Sequence, residues 1–216
     1  MDLLAVSKLL GIVTIVMCSV MKLPQLWLIF RSKKARGISL SSLSLELFCY
    51  TVGSLYGFRS GYPLTTYGES VLLLVQNAGL HALVIYYEGM MSQLIAFVAL
   101  SYVVCVTVTV SGILPLTALQ LIFSFLLPIV IMSKVQQIRS LMSAGTAGQV
   151  SLSTWCIALT GCIFRIFTTL VETQDKMVLA NFCVGTVLNG VVVAMIILYQ
   201  YRDAQWERTR HVKKSE

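Results

Sequence analysis

Charged residues are scarce in this chain of 216 residues, at 12%, whereas hydrophobic residues make up 57%. About a quarter of the residues in a soluble domain are charged, so this composition excludes an ordinary soluble protein. The excess of Lys and Arg, 16 against 9 Asp and Glu, lies mostly in short clusters beside apolar runs. That pattern is typical of membrane topology and not of nucleic-acid binding. We therefore expect a membrane protein that binds no nucleic acid.

Recognisable catalytic and metal-binding patterns are also missing. None of the six Cys residues forms a CxxC spacing, and all six lie in apolar runs, which is typical of small buried side chains. The sequence has no cluster of His and carboxylates, no nucleophile beside a base in a known context, and no glycine-rich phosphate loop. We expect neither an enzyme nor a bound metal or cofactor.

Seven apolar segments are each close to the roughly 20 residues that a helix needs to cross a bilayer. They lie at about 4–30, 40–58, 68–88, 92–110, 114–141, 151–171 and 177–200. No Asp lies in any of them, and Glu46 is the only carboxylate away from their ends. The pattern predicts an all-α, polytopic membrane protein with seven transmembrane helices.

Two stretches that lie 112 residues apart carry the same signature. Lys22-Leu23-Pro24-Gln25 precedes Ser39-Leu40-Ser41-Ser42, and Lys134-Val135-Gln136-Gln137 precedes Ser151-Leu152-Ser153-Thr154 at the same distance. The match runs without a gap over roughly fifty-five residues, which indicates a duplicated unit.

With this offset, the first three segments match the last three, and the fourth is left as a connector. The duplication predicts two parallel three-helix repeats joined by one extra crossing. We expect the first repeat over 1–90, the connector helix over 91–112, the second repeat over 113–200 and a basic cytosolic tail over 201–216.

The distribution of Lys and Arg predicts the orientation. These residues cluster after the first and fifth segments and in the tail: Arg31, Lys33, Lys34, Arg36, Arg139, Arg202, Arg208, Arg210, Lys213 and Lys214. The loops on the opposite side hold only Arg59 and Lys176. Because cytosolic loops carry the positive charge, we expect a luminal N-terminus and a cytosolic C-terminus.

The paired motifs make the chain resemble the PQ-loop repeat family. Its seven-helix members, built as three plus one plus three helices, include cystinosin, the lysosomal cationic amino acid exporters and, more distantly, the SWEET sugar transporters. Residues 61–77 and 154–169 most resemble the branch of PQ-loop repeat-containing protein 3, which is close to the mannose-phosphate-dolichol utilization defect protein. The resemblance implies that two bundles rock about a central site.

The first motif predicts a hinge, because proline removes a backbone donor and kinks a helix. Pro24 and Gln25 carry this motif in the first segment. The second copy has Gln136 and Gln137 instead, and Pro128 lies two helical turns earlier. The fifth segment either hinges at Pro128 or does not hinge.

Polar residues within the spans are the candidates for a binding site, because they usually face a bundle interior or an aqueous cavity. Asn77 and Asn189 lie near the middle of the third and seventh segments, at equivalent positions in the two repeats. We predict that they bind a polar solute together with Gln76 and Arg165, and they resemble the paired asparagines that contact sugar in the SWEET relatives. The alternative for the asparagines is interhelical packing. The alternative for Arg165 is pairing with Glu69 or snorkelling to the surface.

Other charged residues in the spans suggest a clamp, a gate or an anion site. Lys22 and Glu46 lie at similar depths in the first two segments, and an ion pair between them would serve as a structural clamp or as a gate. Lys134 is the repeat equivalent of Lys22, but Ala158 takes the place of Glu46, so we expect Lys134 to attract an anionic group such as a phosphate. His81 follows Asn77 on the same helix face, in a structural or a proton-transfer role.

We hypothesise a transporter-like protein that moves a small polar solute across an intracellular membrane by alternating access. The alternative is an accessory factor of the endoplasmic reticulum that presents or reorients dolichyl-phosphate sugars for glycosylation, as the branch resemblance implies. Lys213 and Lys214 resemble a dilysine retrieval signal, so we expect the endoplasmic reticulum, with the lysosomal membrane as the alternative. The expected partners are the lipid bilayer and a small polar solute or a lipid-linked sugar, and the pattern is compatible with an oligomer.

Overall fold

A computed structural model describes residues 2–35, 40–145 and 152–215, apart from the side chains of residues 140, 144, 154 and 203–215. Within these ranges the chain forms helices and no β-strand. The α-helices and one short π-helix have these bounds: α1 Leu3–Ser19, α2 Leu23–Ser32, α3 Leu40–Arg59, α4 Leu64–Tyr87, α5 Gln93–Val110, α6 Leu116–Ser124, α7 Leu126–Ala144, α8 Leu152–Thr168, π-helix Thr169–Thr173 and α9 Lys176–Ser215.

Two predicted features lie outside the described residues. They are two motif serines, Ser39 and Ser151, and part of the basic clusters, namely Arg36 and the side chains of Arg208, Arg210, Lys213 and Lys214. The all-α prediction is confirmed for the part of the chain that the structure describes.

The helices have the length and apolar surface of membrane spans. Within the described ranges, six stretches are long and apolar enough to cross a bilayer: Leu3–Ser32, Leu64–Tyr87, Gln93–Val110, Leu116–Ser143, Trp155–Thr173 and Lys176–Arg202. The predicted segment 40–58 is α3, which has the 20 residues that a span needs but more polar side chains. Large apolar side chains such as Phe97 and Met132 stay 67% and 72% exposed, as expected where lipid is the solvent. The prediction of a polytopic membrane protein is confirmed.

The first predicted span consists of two helices, because α1 ends at Ser19 and α2 begins at Leu23. Pro24 lies in the first turn of α2, where its fixed φ is favourable and its missing N–H is not needed. It cannot donate a hydrogen bond to the carbonyl of Val20, so α1 cannot continue through it. The chain therefore breaks at the predicted hinge, and hinge motion at this break stays a prediction.

The fifth predicted span also consists of two helices, but its break does not coincide with the motif. α6 ends at Ser124 and α7 begins at Leu126, and Pro128 lies in the first turn of α7. Without an N–H, Pro128 cannot bond the carbonyl of Ser124. Gln136 and Gln137 lie inside α7. The interruption therefore lies next to Pro128.

The chain divides into two compact units, Met1–Phe125 with Val171–Thr173, and Leu126–Leu170 with Gln174–Glu216. In the first unit, α4 packs against α1, α2 and α3, and α5 and α6 pack against α3. In the second unit, α9 packs against α7 and α8. In each unit, the last helix of the predicted repeat packs against the helices of that repeat that precede it in the same unit.

The cores of the two units are built from equivalent residues. With the 112-residue offset, the buried residues pair as Ile29 with Leu141, Leu80 with Val192 and Val84 with Ile196. The surrounding residues pair in the same way: Leu26 with Ile138, Leu40 with Leu152, Leu43 with Trp155, Leu83 with Met195 and Tyr87 with Tyr199. The repeat in the sequence is therefore also a repeat in packing.

The backbones of α3 and α4 approach each other closely where Gly57 meets Tyr67. A Cβ atom at Gly57 would lie 2.6 Å from Cγ of the Tyr67 ring, which is too close for an undisturbed side chain. The glycine therefore permits the packing that positions α3 against α4.

We expect Gly57→Ala to lower the free energy of unfolding by about 1–2 kcal/mol, because overpacking forces a side chain or the backbone to move. Gly190→Ala is the matched control, since Gly190 lies within α9 and a Cβ there meets no atom within 4 Å. Thermal unfolding of the detergent-solubilised proteins measures both. Equal midpoints for the two variants would contradict the close packing at Gly57.

Candidate functional site

Gln76 on α4 bridges the break between α1 and α2. Its Nε2 donates to the carbonyl oxygens of Cys18 and Ser19, at 3.1 and 3.0 Å, and its Oε1 accepts from the N–H of Lys22 at 3.0 Å. Helix ends leave such groups without partners inside the helix, and in a membrane no water replaces them. Gln76, which is 8% exposed, therefore bonds the Ser19 carbonyl and the Lys22 N–H at the break, and it adds a bond to the Cys18 carbonyl, which also accepts from the N–H of Met21 at 3.3 Å.

The Lys22 ammonium group is the centre of a polar cluster in the first unit. It forms an ion pair with Glu46 on α3, and it donates to Asn77 Oδ1 at 3.4 Å. It also lies 5.6 Å from the centroid of the Tyr50 ring. The structure thus brings together the two charges that the sequence predicts as a clamp or gate. The Lys22 side chain is 13% exposed and that of Glu46 is 43% exposed, so the cation is the more buried partner.

Asn77 is fully buried and joins two helices of this cluster. Its Nδ2 donates to the carbonyl of Leu43 on α3 at 2.9 Å, and its Oδ1 faces Lys22. His81 Nδ1 lies 3.2 Å from the carbonyl oxygen of Asn77, and His81 Nε2 lies 3.1 Å from Ser44 Oγ. Both polar atoms of the Asn77 amide are therefore engaged within the protein.

The equivalent cation of the second unit, Lys134, has different surroundings. Its ammonium group lies 4.3 Å from the centroid of the Trp155 ring on α8, a cation–π contact. Ala158 occupies the repeat position of Glu46, one turn after Trp155 on the same face of the helix. Residues 126–144, 152–168 and 176–202 contain no Asp or Glu at all. No acidic side chain within these helical stretches is therefore available to Lys134.

Asn189 is buried like Asn77, but only part of its amide is engaged. It is 2% exposed, and its Nδ2 lies 3.4 Å from Cys162 Sγ, a weak acceptor. Its Oδ1 is buried without a hydrogen-bond partner among the described residues. A buried acceptor of this kind is costly unless a ligand completes it. Of the two predicted asparagines, Asn189 is the one with an available oxygen atom.

Arg165 lies near the end of α8 and is 1% exposed. The protein encloses its guanidinium group, so this side chain does not extend to the protein surface. Its carbonyl oxygen accepts from Thr168 Oγ1 at 3.2 Å, within the last turn of the helix. The helical stretches 126–144, 152–168 and 176–202, which contain no Asp or Glu, thus hold a buried Arg165 as well as a half-buried Lys134.

The motif residues themselves lie mostly on the outside of the protein. Pro24, Gln25 and Gln136 are exposed, and Gln137 is half-buried. Their position supports a role in helix geometry more than direct contact with a solute.

Sequence reasoning missed two features of the structure. Tyr50 and Trp155 contact the paired lysines, but each contact joins two helices, so no sequence spacing reveals it. Glu172, in the π-helix, accepts hydrogen bonds from Ser7 Oγ at 2.5 Å and Thr65 Oγ1 at 2.8 Å, and a π-helix often marks a functional position. In the sequence, Glu172 could have been noticed as a carboxylate that directly follows the apolar segment 151–171.

Comparison with known proteins finds a matching family model and curated relatives. The family model described as PQ loop repeat matches residues 6–66, which include the first motif. Solute carrier family 66 member 3 of Homo sapiens is 32% identical over 189 residues, which cover 87% of this chain and 91% of that protein. Both matches agree with the resemblance predicted from the paired motifs.

Proposed function

The chain belongs to the PQ-loop repeat family, and on that premise we propose that it is a membrane transporter that moves a small polar solute by alternating access across an intracellular membrane. The relative in solute carrier family 66 supports the transporter class. The two three-helix repeats would be the moving bodies. The break between α1 and α2 at Pro24 would be one hinge.

The observation that carries this proposal is the pair of buried asparagines at equivalent positions of two repeated cores. Asn77 is 0% and Asn189 is 2% exposed, each on the last helix of its repeat. Buried polar groups within membrane spans usually mark a binding site or a pathway. In our proposal Asn189 and Arg165 of the second unit bind the solute, Asn77 is the equivalent solute-binding amide of the first unit, and Gln76 stabilises the hinge.

The asparagine site is tested by flux measurements in proteoliposomes. Radiolabelled glucose, alanine, glutamate and lysine would be screened for saturable uptake, and the transported solute would be used with the variants. We expect Asn77→Ala/Asn189→Ala to lower the transport efficiency about tenfold, since two hydrogen bonds of up to about 1 kcal/mol each are lost. Asn189→Ala alone is the sharper variant, because Asn77 also ties α4 to α3.

The matched control is Asn181→Ala. Asn181 lies on α9, donates to Met177 in its own helix, and like Asn189 has a buried Oδ1 without a hydrogen-bond partner among the described residues, but its repeat equivalent is Glu69 and not an asparagine. Its uptake is expected to equal that of the unmodified protein. Unchanged uptake in the double variant, with a normal thermal midpoint, would remove the asparagine site from the proposal.

We propose the endoplasmic reticulum as the location, on the basis of the lysine pair Lys213 and Lys214, which resembles a dilysine retrieval signal. Replacement of both lysines by serine is expected to shift the protein out of the reticulum. Fluorescence imaging of the full chain beside this variant measures the shift. Identical reticular staining of both would remove the signal, and lysosomal staining of the unmodified chain would favour the alternative location.

A further inference from the structure

One difference between the two repeats is a carboxylate that the second repeat lacks. In the first repeat, Lys22, Glu46 and Asn77 form one contact cluster. In the second repeat the lysine and the asparagine are kept as Lys134 and Asn189, but Ala158 replaces the glutamate. In the first repeat the lysine contacts both the carboxylate and the asparagine. The second repeat therefore retains the equivalents of the lysine and the asparagine and lacks the carboxylate.

The local geometry places Ala158 between these groups. Trp155, Ala158 and Cys162 follow each other at spacings of three and four residues, so they share one face of α8. At one end of that face Trp155 contacts Lys134, and at the other end Cys162 contacts Asn189. The small Ala158 side chain thus lies on the strip of α8 between the lysine and the asparagine.

Two further observations point to a ligand at this place. The Asn189 Oδ1 atom is buried without a hydrogen-bond partner among the described residues. The Lys134 ammonium group contacts an aromatic ring, and the helical stretches of this unit up to Arg202 contain no acid that could pair with it. Lys134 is half-buried, and an ammonium group partly withdrawn from water is stabilised by an opposite charge, which a ligand can supply.

We infer that the second repeat binds the carboxylate group of a small solute, which takes the place that the Glu46 carboxylate fills in the first repeat. This inference rests on the proposed function and narrows its substrate class to carboxylates, such as amino or hydroxy acids. The ammonium group of Lys134 binds the carboxylate oxygens. Asn189 Oδ1 accepts a hydrogen bond from an amino or hydroxyl group of the same solute.

A carboxylate fits this site better than a phosphate does. The missing group in the repeat comparison is one carboxylate side chain, and its partner in the first repeat is one ammonium group. A phosphate has more oxygen atoms and more charge, and it is usually bound by several donors or an Arg fork. Phosphate binding is therefore the competing outcome of the test.

Trp155 provides a probe within the site itself. The chain has three Trp residues, and Trp27→Phe/Trp206→Phe leaves Trp155 as the only one. The full chain in detergent would be titrated with sodium acetate against sodium chloride at constant ionic strength. We expect a saturable change of Trp155 fluorescence as the ammonium group leaves the ring. We also expect a rise of about 3 °C in the thermal midpoint at several times the dissociation constant.

Substitutions at the two key positions separate a real site from a general salt effect. Lys134→Gln is expected to weaken acetate binding at least tenfold. Ala158→Glu supplies the missing carboxylate within the chain, so the thermal midpoint is expected to rise without acetate and the fluorescence response to disappear. Ala158→Gln, of the same size but neutral, is the control and is expected to show no such rise.

The outcomes are distinct. A missing fluorescence response, or an equal response in Lys134→Gln, overturns the inference. A response to sodium phosphate but not to acetate also overturns it, and favours a phosphorylated ligand such as a dolichyl-phosphate sugar. Acetate binding without any solute flux would leave the carboxylate site standing while the proposed transport fails. Flux of a neutral solute without acetate binding would support the proposed transport and overturn the carboxylate site.

Discussion

Gln76→Leu is expected to lower the free energy of unfolding by about 3 kcal/mol, on the order of 1 kcal/mol for each of three lost hydrogen bonds. In thermal unfolding this corresponds to a fall in the midpoint of about 6–12 °C for a chain of this length. The loss leaves the carbonyls of Cys18 and Ser19 and the N–H of Lys22 without the side chain that bonds them. Leucine has a similar volume, so lost packing contributes little.

The matched control is Gln25→Leu, which removes the same amide from an exposed position on α2. Its midpoint is expected to stay within about 1 °C of the unmodified protein, as for surface changes in general. Equal midpoints for Gln76→Leu and the unmodified protein would mean that water or lipid headgroups satisfy the break instead. The cap would then have no part in holding the α1–α2 junction.

The second repeat has no equivalent of the Gln76 side chain that bonds the α1–α2 break, and the position of its own helix break explains why. The position equivalent to Gln76 is Leu188, and the residues equivalent to the α1–α2 break, 132–134, lie inside the continuous helix α7. There the helix makes its own hydrogen bonds, so no side chain from α9 is required. In the second repeat the helix is instead interrupted at Phe125, near Pro128. The residue difference at 76 and 188 thus follows from where each helix is interrupted.

The second large effect is expected at the Lys22–Glu46 ion pair. Glu46→Met leaves the Lys22 ammonium group, at 13% exposure, without its counter-ion. We expect a loss of about 2 kcal/mol, below the 3–5 kcal/mol of fully buried pairs because the Glu46 side chain is 43% exposed. Lys22→Met is expected to cost about 1 kcal/mol, since the remaining carboxylate is the better solvated partner.

The double variant Lys22→Met/Glu46→Met gives the decisive comparison. Because it removes both charges together, we expect its stability to lie within about 1 kcal/mol of the unmodified protein. Thermal unfolding of the four proteins completes the double-mutant cycle. Additive losses in the double variant would show that the two side chains do not depend on each other. Normal stability of the double variant with lost flux would favour the gate over the clamp.

The core packing could be predicted from the sequence to a large extent. The 112-residue offset pairs Leu80 with Val192 and Val84 with Ile196 before any coordinates are known, and the structure buries all four. Apolar periodicity and length likewise locate the spans, because a helix needs about 20 apolar residues to cross a bilayer. These features depend on local sequence and on the duplication, so they are readable without the tertiary structure.

The environments of the repeated polar residues could not be predicted in the same way. Asn77 and Asn189 occupy equivalent positions, yet Asn77 uses both polar atoms within the protein, while Asn189 Oδ1 has no hydrogen-bond partner among the described residues. The difference arises on neighbouring helices, where the Lys22 ammonium group reaches Asn77 and the Lys134 ammonium group lies over Trp155. The repeat in the sequence predicts that the two asparagines lie at equivalent positions, but it does not predict which side chains contact them.

The sequence alone determined the class of the protein, its spans, its internal repeat and the polar residues that merit attention, because hydropathy and spacing are properties of single segments. Only the tertiary structure decided that Gln76 caps a broken helix, that the α6–α7 interruption lies next to Pro128, and that Trp155 meets Lys134. Those contacts depend on the rotation of each helix about its axis and on its neighbour in space. Packing between helices sets both, and no spacing within one helix encodes them.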